Sequence, residues 1–285
     1  MTTTGSGKTK PAVVVVNSLV ARGGVGGRAS VFVLERLGFP VWLVPTVLLS
    51  WHPGHGPATR IVSPTAQFQP FLADLAAARW LSEVGAILVG YLGDVAQVES
   101  IVRLIEALKA RNPNALFLCD PVIGDHGRLF QPEAIAMAVR DRLVPLADIV
   151  TPNRFELGWS VGTPVADNRA LIGAARRLGR SEVVVTSAFA GPGDLGNLVV
   201  HGDQVHFASH GALPSAPNGT GDVLAALYLA HRLSDEPPEE ALCRAVSSTL
   251  RLAERAMALG ADELPLAAGQ DDLLVPARGV SLDRI

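Results

Sequence analysis

The stretch Pro217-Asn218-Gly219-Thr220-Gly221-Asp222 holds the residue types best suited to chemistry in this chain. Two glycines free the backbone to turn just before an apolar run, Val223-Leu224-Ala225-Ala226-Leu227, that reads as a helix. Successive amides at such a helix start can point at one anion. An aspartate there would repel an anion held for its own sake. It suits a base that takes a hydroxyl proton while the amides hold the charge of a transferring phosphoryl group. Asp222 would serve equally well as a cap and dipole partner in a first helical turn, and these six residues leave both readings open.

Other segments resemble phosphate loops without completing them. Gly5-Ser6-Gly7-Lys8-Thr9 looks like the end of a Walker A loop, but Thr2 stands where that motif needs its first glycine, and no strand precedes it. Gly24-Val25-Gly26-Gly27-Arg28-Ala29 fits the GxGxxA form of a dinucleotide turn. The acid that should follow some twenty residues on is missing, because Val41-Trp42-Leu43-Val44-Pro45 is apolar. These glycines therefore read as a loop passing close to a helix start or a ligand. His52 and His55 flank Pro53-Gly54 with no third soft ligand nearby, which favours a turn over a zinc site. Cys119 and Cys243 lie in apolar surroundings without CxxC spacing and are expected to be buried small hydrophobes in a reducing compartment.

The elements that must position these residues follow from periodicity. Short Val- and Ile-rich runs at residues 12–16, 41–44, 86–89, 116–119, 149–150 and 183–186 alternate with helical segments, the pattern of βαβ units on a mostly parallel sheet. Val98, Ile101, Val102, Ile105 and Leu108 form one helical face, with Asp94 as the expected N-cap. Residues 197–200 and 204–207 flank His201-Gly202-Asp203 and read as an antiparallel hairpin in the C-terminal half. Helices are expected over about 220–232 and 239–259, followed from Ala261 by a surface-packed tail. Residues 1–10 are expected to be a disordered tail and 11–285 a single α/β domain.

Composition narrows the partners. The 285 residues are 48% hydrophobic and 18% charged, with 24 basic against 27 acidic side chains. A net charge of −3 gives no electrostatic reason to expect nucleic acid or an anionic membrane. The longest apolar runs fall far short of a membrane span, so a small-molecule partner and a cytoplasmic location are expected.

Gly219-Thr220-Gly221-Asp222 resembles the GTGD signature of the ribokinase superfamily, and further segments narrow the resemblance to the pyridoxal kinases. These are Asn17-Ser18 with the glycine-rich segment 22–29; Thr46-Val47 with Ser50-Trp51-His52; Gly90-Tyr91-Leu92-Gly93; and Cys119-Asp120-Pro121-Val122-Ile123-Gly124-Asp125. Thr151-Pro152-Asn153 with Glu156, and Val184-Val185-Thr186-Ser187, continue the family order.

The resemblance implies a ribokinase-like three-layer sandwich, a mostly parallel sheet between helices. It implies ATP-dependent phosphorylation of the 5′-hydroxymethyl group of pyridoxal, with Asp222 as base and the amides of Gly219, Thr220, Gly221 and Asp222 as the anion hole. Magnesium would be held by Asp120, Asn153 and Glu156, directly or through water. Thr186 and Ser187 would bind ATP phosphates, Thr151 would line the nucleotide site, and Asp125 would sit in a mobile flap with His126, Gly127, Arg128 and Phe130. Ser18 and Thr46 would contact the pyridine substituents and Tyr91 the cleft wall. Arg22 or Arg28 would add positive charge, since the chain's three lysines lie outside these motifs. A homodimer is also implied, and a monovalent cation such as K+ is left open. Leu19, Gly27 and Trp51 depart from the family's usual His, Asn and Asn. Leu19 and Gly27 keep alive the reading of a hydroxymethylpyrimidine or other ribokinase-like small-alcohol kinase; a non-catalytic pyridoxal binder is the alternative of another class, and Asp222 with the Asp120, Asn153 and Glu156 set argues against it.

Overall fold

A computed structural model describes residues 9–274 and 279–285. The expected tail therefore lies outside the described residues for positions 1–8, as does most of the Walker-like segment.

The first strand carries the consecutive valines Val13, Val14, Val15 and Val16, all fully buried. A β-branched run with no polar face suits a strand covered on both sides, and β1 (Ala12–Val20) is an interior strand of the sheet, paired on both edges. Alternate side chains then serve opposite layers. Val13 and Val15 pack toward α1 (Gly26–Arg36), while Val14 and Val16 face the opposite core.

The order continues with β2 (Val41–Leu49), β3 (Arg60–Val62), α2 (Thr65–Ala77), β4 (Val84–Val89), α3 (Gln97–Arg111) and β5 (Leu116–Cys119). A two-stranded ribbon follows, β6 (Gly124–Asp125) and β7 (Arg128–Leu129), then α4 (Glu133–Ala138), β8 (Ile149–Val150), α5 (Arg154–Ser160), α6 (Asn168–Leu178) and β9 (Glu182–Ala188). The last elements are β10 (Asp194–His201), β11 (Gln204–Gly211), α7 (Thr220–Arg232), α8 (Pro238–Ala258) and β12 (Ser281–Arg284).

Ten strands form one sheet in the order β12-β11-β10-β9-β8-β5-β4-β1-β2-β3. The six from β9 to β2 are parallel, and antiparallel strands border them on both sides. Helices α1, α7 and α8 cover one face; α2, α3 and α4 cover the other, continued by α5 and α6 beside β9. The expected three-layer α/β fold and its C-terminal-half hairpin are both present. The hairpin is tighter than expected, since His201 pairs with Gln204 and leaves a two-residue turn with Gly202 at φ 55°.

Three expectations need correction. Asp94 does not cap α3: the N-cap is Ala96, and Asp94 instead accepts the Ala96 N–H at 2.9 Å in the preceding turn. Gln97, the first residue of α3, accepts from Gly93 N at 2.8 Å and donates to Thr46 O at 2.8 Å, joining the loop after β4 to strand β2. Cys119 is fully buried, but Cys243 is only partly so. The segment after Ala261 is more than a surface tail, because Glu263 and Leu264 are buried, Glu263 forms a parallel bridge with Asn218, and β12 extends the sheet.

Helix α7, which begins at the GTGD turn, is fixed to the far end of β9. Glu182 accepts from Tyr228 Oη at 2.6 Å and from Arg232 Nη2 at 2.7 Å. Removing one member of a buried ion pair strands its partner, so Glu182→Ala is expected to lower unfolding free energy by about 3 kcal/mol. Tyr228→Phe, which leaves the Arg232 pair intact, should cost about 1 kcal/mol. Urea titration of the two variants checks both values.

Candidate active site

In an open α/β sheet, ligands bind beyond the carboxyl ends of the parallel strands. Here those ends deliver Asn17 and Ser18 from β1, Gly90 and Tyr91 after β4, Asp120 after β5, Thr151 and Asn153 after β8, and Thr186 and Ser187 in β9. The start of α7 faces the same edge.

Asp222 is partly exposed and held at both oxygens. Oδ2 accepts the Gly26 N–H at 2.8 Å, and Oδ1 accepts Asn17 Nδ2 at 3.2 Å. Burial raises its pKa above the ordinary carboxylate value, opposed by these two donors and by the nearby His52. Gly219 caps the helix at φ 94°, and a Cβ there would stand 2.3 Å from Gly24 O. Only glycine meets both demands. The first amides of α7, at Thr220, Gly221 and Asp222, have no main-chain acceptor within the helix.

Asn17 is a site residue that the sequence reading quoted in a motif but gave no role. It is 1% exposed, and its Oδ1 accepts from Ser18 N at 2.8 Å and Tyr91 N at 3.0 Å. One side chain thus ties Asp222 to the end of β1 and the loop after β4. Its signal was a single amide ending a run of valines. Gly90 makes the room, since a Cβ there would fall 2.5 Å from Asn17 Nδ2.

The carboxyls on the β5 and β8 side are buried. Burial first, then repulsion from Glu156 and Asp222, holds the Asp120 pKa well above its usual value. Thr151 Oγ1 lies near enough to ease that charge, although it has no hydrogen bond of ordinary geometry. Glu156 is pushed by burial to about 7. It accepts from Ile123 N at 2.8 Å and Asn153 N at 2.9 Å. Asn153 completes a capping box on α5 and donates to Gly124 O at 2.8 Å. Asn153 and Glu156 are therefore both engaged in shaping the loop that follows Asp120. Among the described residues, no Lys, Arg or His pairs with Asp120, and no three His, Cys, Asp or Glu side chains form a group that could hold a metal.

Asp125 lies in the β6–β7 ribbon, whose turn residues His126 and Gly127 have φ of 49° and 81°. That backbone is the hairpin turn that glycine favours. Thr186 bridges to Asn153, and Ser187 takes φ 55° beside it.

On the opposite side of Asp222, Ser18 Oγ abuts Gly26, whose Cβ would meet it at 2.4 Å. Thr46 is fully buried, and its hydroxyl donates to Tyr91 O at 2.7 Å, so it holds the Tyr91 loop. Gly27 fits tightly, with Ser18 O 2.9 Å and Leu43 Cδ1 3.0 Å from a Cβ at that position. Trp51 Nε1 folds back to Gly56 O at 3.3 Å. Neither candidate arginine is unengaged: Arg22 lies 3.5 Å from Asp262, and Arg28 donates to Ala21 O. His55 sits between Asp262 and Glu263, and burial lowers the His52 pKa.

The sequence model of the family described as phosphomethylpyrimidine kinase matches residues 68–267. Pyridoxal kinase PdxY of Rubrobacter xylanophilus is 38% identical over 272 residues, covering 93% of this chain and 94% of its own. The pyridoxine/pyridoxal/pyridoxamine kinase of Bordetella pertussis is 39% identical over 263 residues, covering 90% of this chain and 93% of its own. Among solved structures, pyridoxal kinase of Leishmania donovani in complex with ADP and pyridoxamine superposes with a TM-score of 0.90 at 27% identity, over 96% of this chain and 99% of its own. Sequence, fold and site agree: the chain belongs to the phosphomethylpyrimidine kinase family, among the pyridoxal kinases.

Proposed function

We propose that this protein transfers the γ-phosphoryl group of ATP to the 5′-hydroxymethyl oxygen of pyridoxal, giving pyridoxal 5′-phosphate and ADP. The observation that carries this reading is Asp222 in the first turn of α7, anchored by Gly26 N and Asn17 beside the helix amides. Its relatives and the ADP-bound neighbour support the same reaction. Asp222 takes the hydroxyl proton as the alcohol oxygen forms its bond to the γ-phosphorus. The bond to the bridging oxygen of ADP breaks on the opposite side. Amides of Gly219, Thr220, Gly221 and Asp222 meet the charge on the transferring group without reorganising.

The donor set fits magnesium. Asp120 is a buried carboxyl with no paired cation among the described residues, close to Glu156 and Asp222, and hard oxygen donors suit an ion that retains water. Asp120 would hold it, with Asn153 and Glu156 fixing the loop and any contact of theirs passing through water. The ion supplies neutralisation of phosphate charge. Thr151, Thr186 and Ser187 face the nucleotide, Asp125 covers it from the ribbon, and Ser18 and Tyr91 face the vitamin. A homodimer working in the cytoplasm completes the proposal; no helix among the described residues is long and apolar enough to cross a membrane.

A second reading, phosphorylation of hydroxymethylpyrimidine, is favoured by the description of the matching family and by Leu19 and Gly27 beside Ser18. Purified protein with magnesium and ATP, given pyridoxal, pyridoxine, pyridoxamine and hydroxymethylpyrimidine in parallel, separates the two. Pyridoxal phosphorylation well above the others is expected, and turnover of the pyrimidine alone would move the assignment.

Asp222→Ala should reduce turnover by about 10²–10⁴-fold, the usual reach of a general base, with a small effect on ATP binding. Near-normal turnover in that variant would sink the mechanism. Only the ionised carboxylate accepts a proton, and burial raises its pKa, so kcat/KM should rise with pH through a midpoint above the ordinary aspartate value. A pH–rate profile reads this directly. Gly219→Ala forces the turn off Gly24 O and should cost at least tenfold in kcat, compared at matched folded fraction by circular dichroism.

A further inference from the structure

The segment after α8 reaches into the vitamin side of the site through one carboxylate. Glu263 is 6% exposed. Its Oε2 accepts the Gly24 N–H at 2.8 Å, and its Oε1 lies 2.6 Å from His55 Nε2 and 4.0 Å from Arg22 Nη1. The fit is close: a Cβ on Gly23 would stand 1.9 Å from Oε2, and one on Gly24 would stand 2.6 Å from Leu264 O. The same segment bridges to the GTGD turn, where Asn218 N donates to Asp262 O at 3.2 Å.

Three loops from distant parts of the chain therefore converge on Glu263. The glycine loop after β1 also delivers Gly26 N to Asp222 and sets Gly24 O against Gly219. The loop after β2 carries His52, which lies close enough to Asp222 to affect its charge. The third is the turn that opens α7. A buried carboxylate with amide and imidazole partners is a directional fixture, whereas apolar packing alone would let these glycine-rich loops slide.

We infer that Glu263 is a positioning residue for phosphoryl transfer: its carboxylate fixes the Gly23–Gly24 loop and the His55 loop against the turn that carries Asp222. The inference deepens the proposed reaction and rests on it for its kinetic test. Nothing in this arrangement reaches the β6–β7 ribbon or the Asp120 loop, so the nucleotide side should respond little.

Glu263→Ala, Glu263→Gln and His55→Gln are compared with wild type at matched folded fraction. For Glu263→Ala, kcat should fall about 10–100-fold, since displacement by an ångström carries costs of that order. The KM of the vitamin should rise several-fold, and the KM of ATP should stay within about twofold. Glu263→Gln, which keeps an oxygen for Gly24 N, should recover at least half of that loss on a logarithmic scale. Adding His55→Gln to Glu263→Ala should bring a smaller change than His55→Gln alone, because the Nε2 contact is already lost and only the Nδ1 contact to Asp262 remains. Calorimetric binding of pyridoxal and of ATP by the same variants provides a readout independent of turnover, with pyridoxal affinity falling and ATP affinity holding. Wild-type turnover and binding with unchanged kcat, vitamin KM and pyridoxal affinity in Glu263→Ala would overturn the inference, as would equal changes in both substrates or no recovery by glutamine. Absence of wild-type turnover with any alcohol would instead overturn the proposed reaction, and the pyridoxal affinities would still decide the role of Glu263.

Discussion

Everything at this site depends on keeping two buried carboxyl groups and one partly buried one chargeable around the start of one helix. Asp120, Glu156 and Asp222 are all held above their ordinary pKa by burial, and for Asp120 the other two add repulsion. Among the described residues, none of the three forms an ion pair with a basic side chain. What opposes the penalty is chiefly the hydrogen-bond donor, often a main-chain amide: Gly26 N at Asp222, and Asn153 N and Ile123 N at Glu156. Amide donors add no net charge, so the site stays receptive to a cation and a polyphosphate together.

That solution dictates where glycine stands. An amide can reach a buried carboxylate only if the chain passes close by, and Gly24, Gly26, Gly90 and Gly219 each lie where a Cβ would collide with backbone or with the Asn17 or Ser18 side chain. The strands supply the rigid frame against which such approaches can be held. Valines buried on both faces leave β1 no freedom to slip, and Asn17 continues that strand into the site with its side-chain amide already engaged by Ser18, Tyr91 and Asp222. Rigidity of the sheet and placement of the Asp222 carboxyl are thus one property.

The parallel core and the order of the elements were legible because doubly buried strands write themselves as Val and Ile runs. Helix α7 was also legible, since Thr220 through Arg232 combine a turn signal with a long apolar period. Contacts made by single polar side chains were not. Gln97 reaches Thr46 O in β2 across 51 residues, Thr46 faces Tyr91 O, and Glu263 meets Gly24 across 239 residues. Periodicity carries no trace of such pairings, and the acids after Ala261 look like those of any solvated tail. The same limit explains the arginines: Arg22 stands beside a glycine loop, yet the carboxylate that answers it is 240 positions away in the sequence.

The two sides of the cleft are therefore built on different principles. One side consists of a helix start, a strand-end carboxyl and a capping box, features formed largely by backbone. The other consists of loops whose positions depend on each other: Ser18 against Gly26, Thr46 against Tyr91, and Glu263 against Gly24 and His55. Residues 68–267, the span matched by the family model, contain Asp120, the start of α7 and Glu263 but omit the loops of Gly24 and His55 that meet Glu263. On the proposed reaction, such a fold could retain its transfer step while its alcohol changes, because the loops of Gly24 and His55 are separate elements from the start of α7. Leu19, Gly27 and Trp51 fall within β1, at the start of α1 and just after β2, away from the Asp120 loop and the start of α7, so on that reaction their substitution would bear on the choice of alcohol.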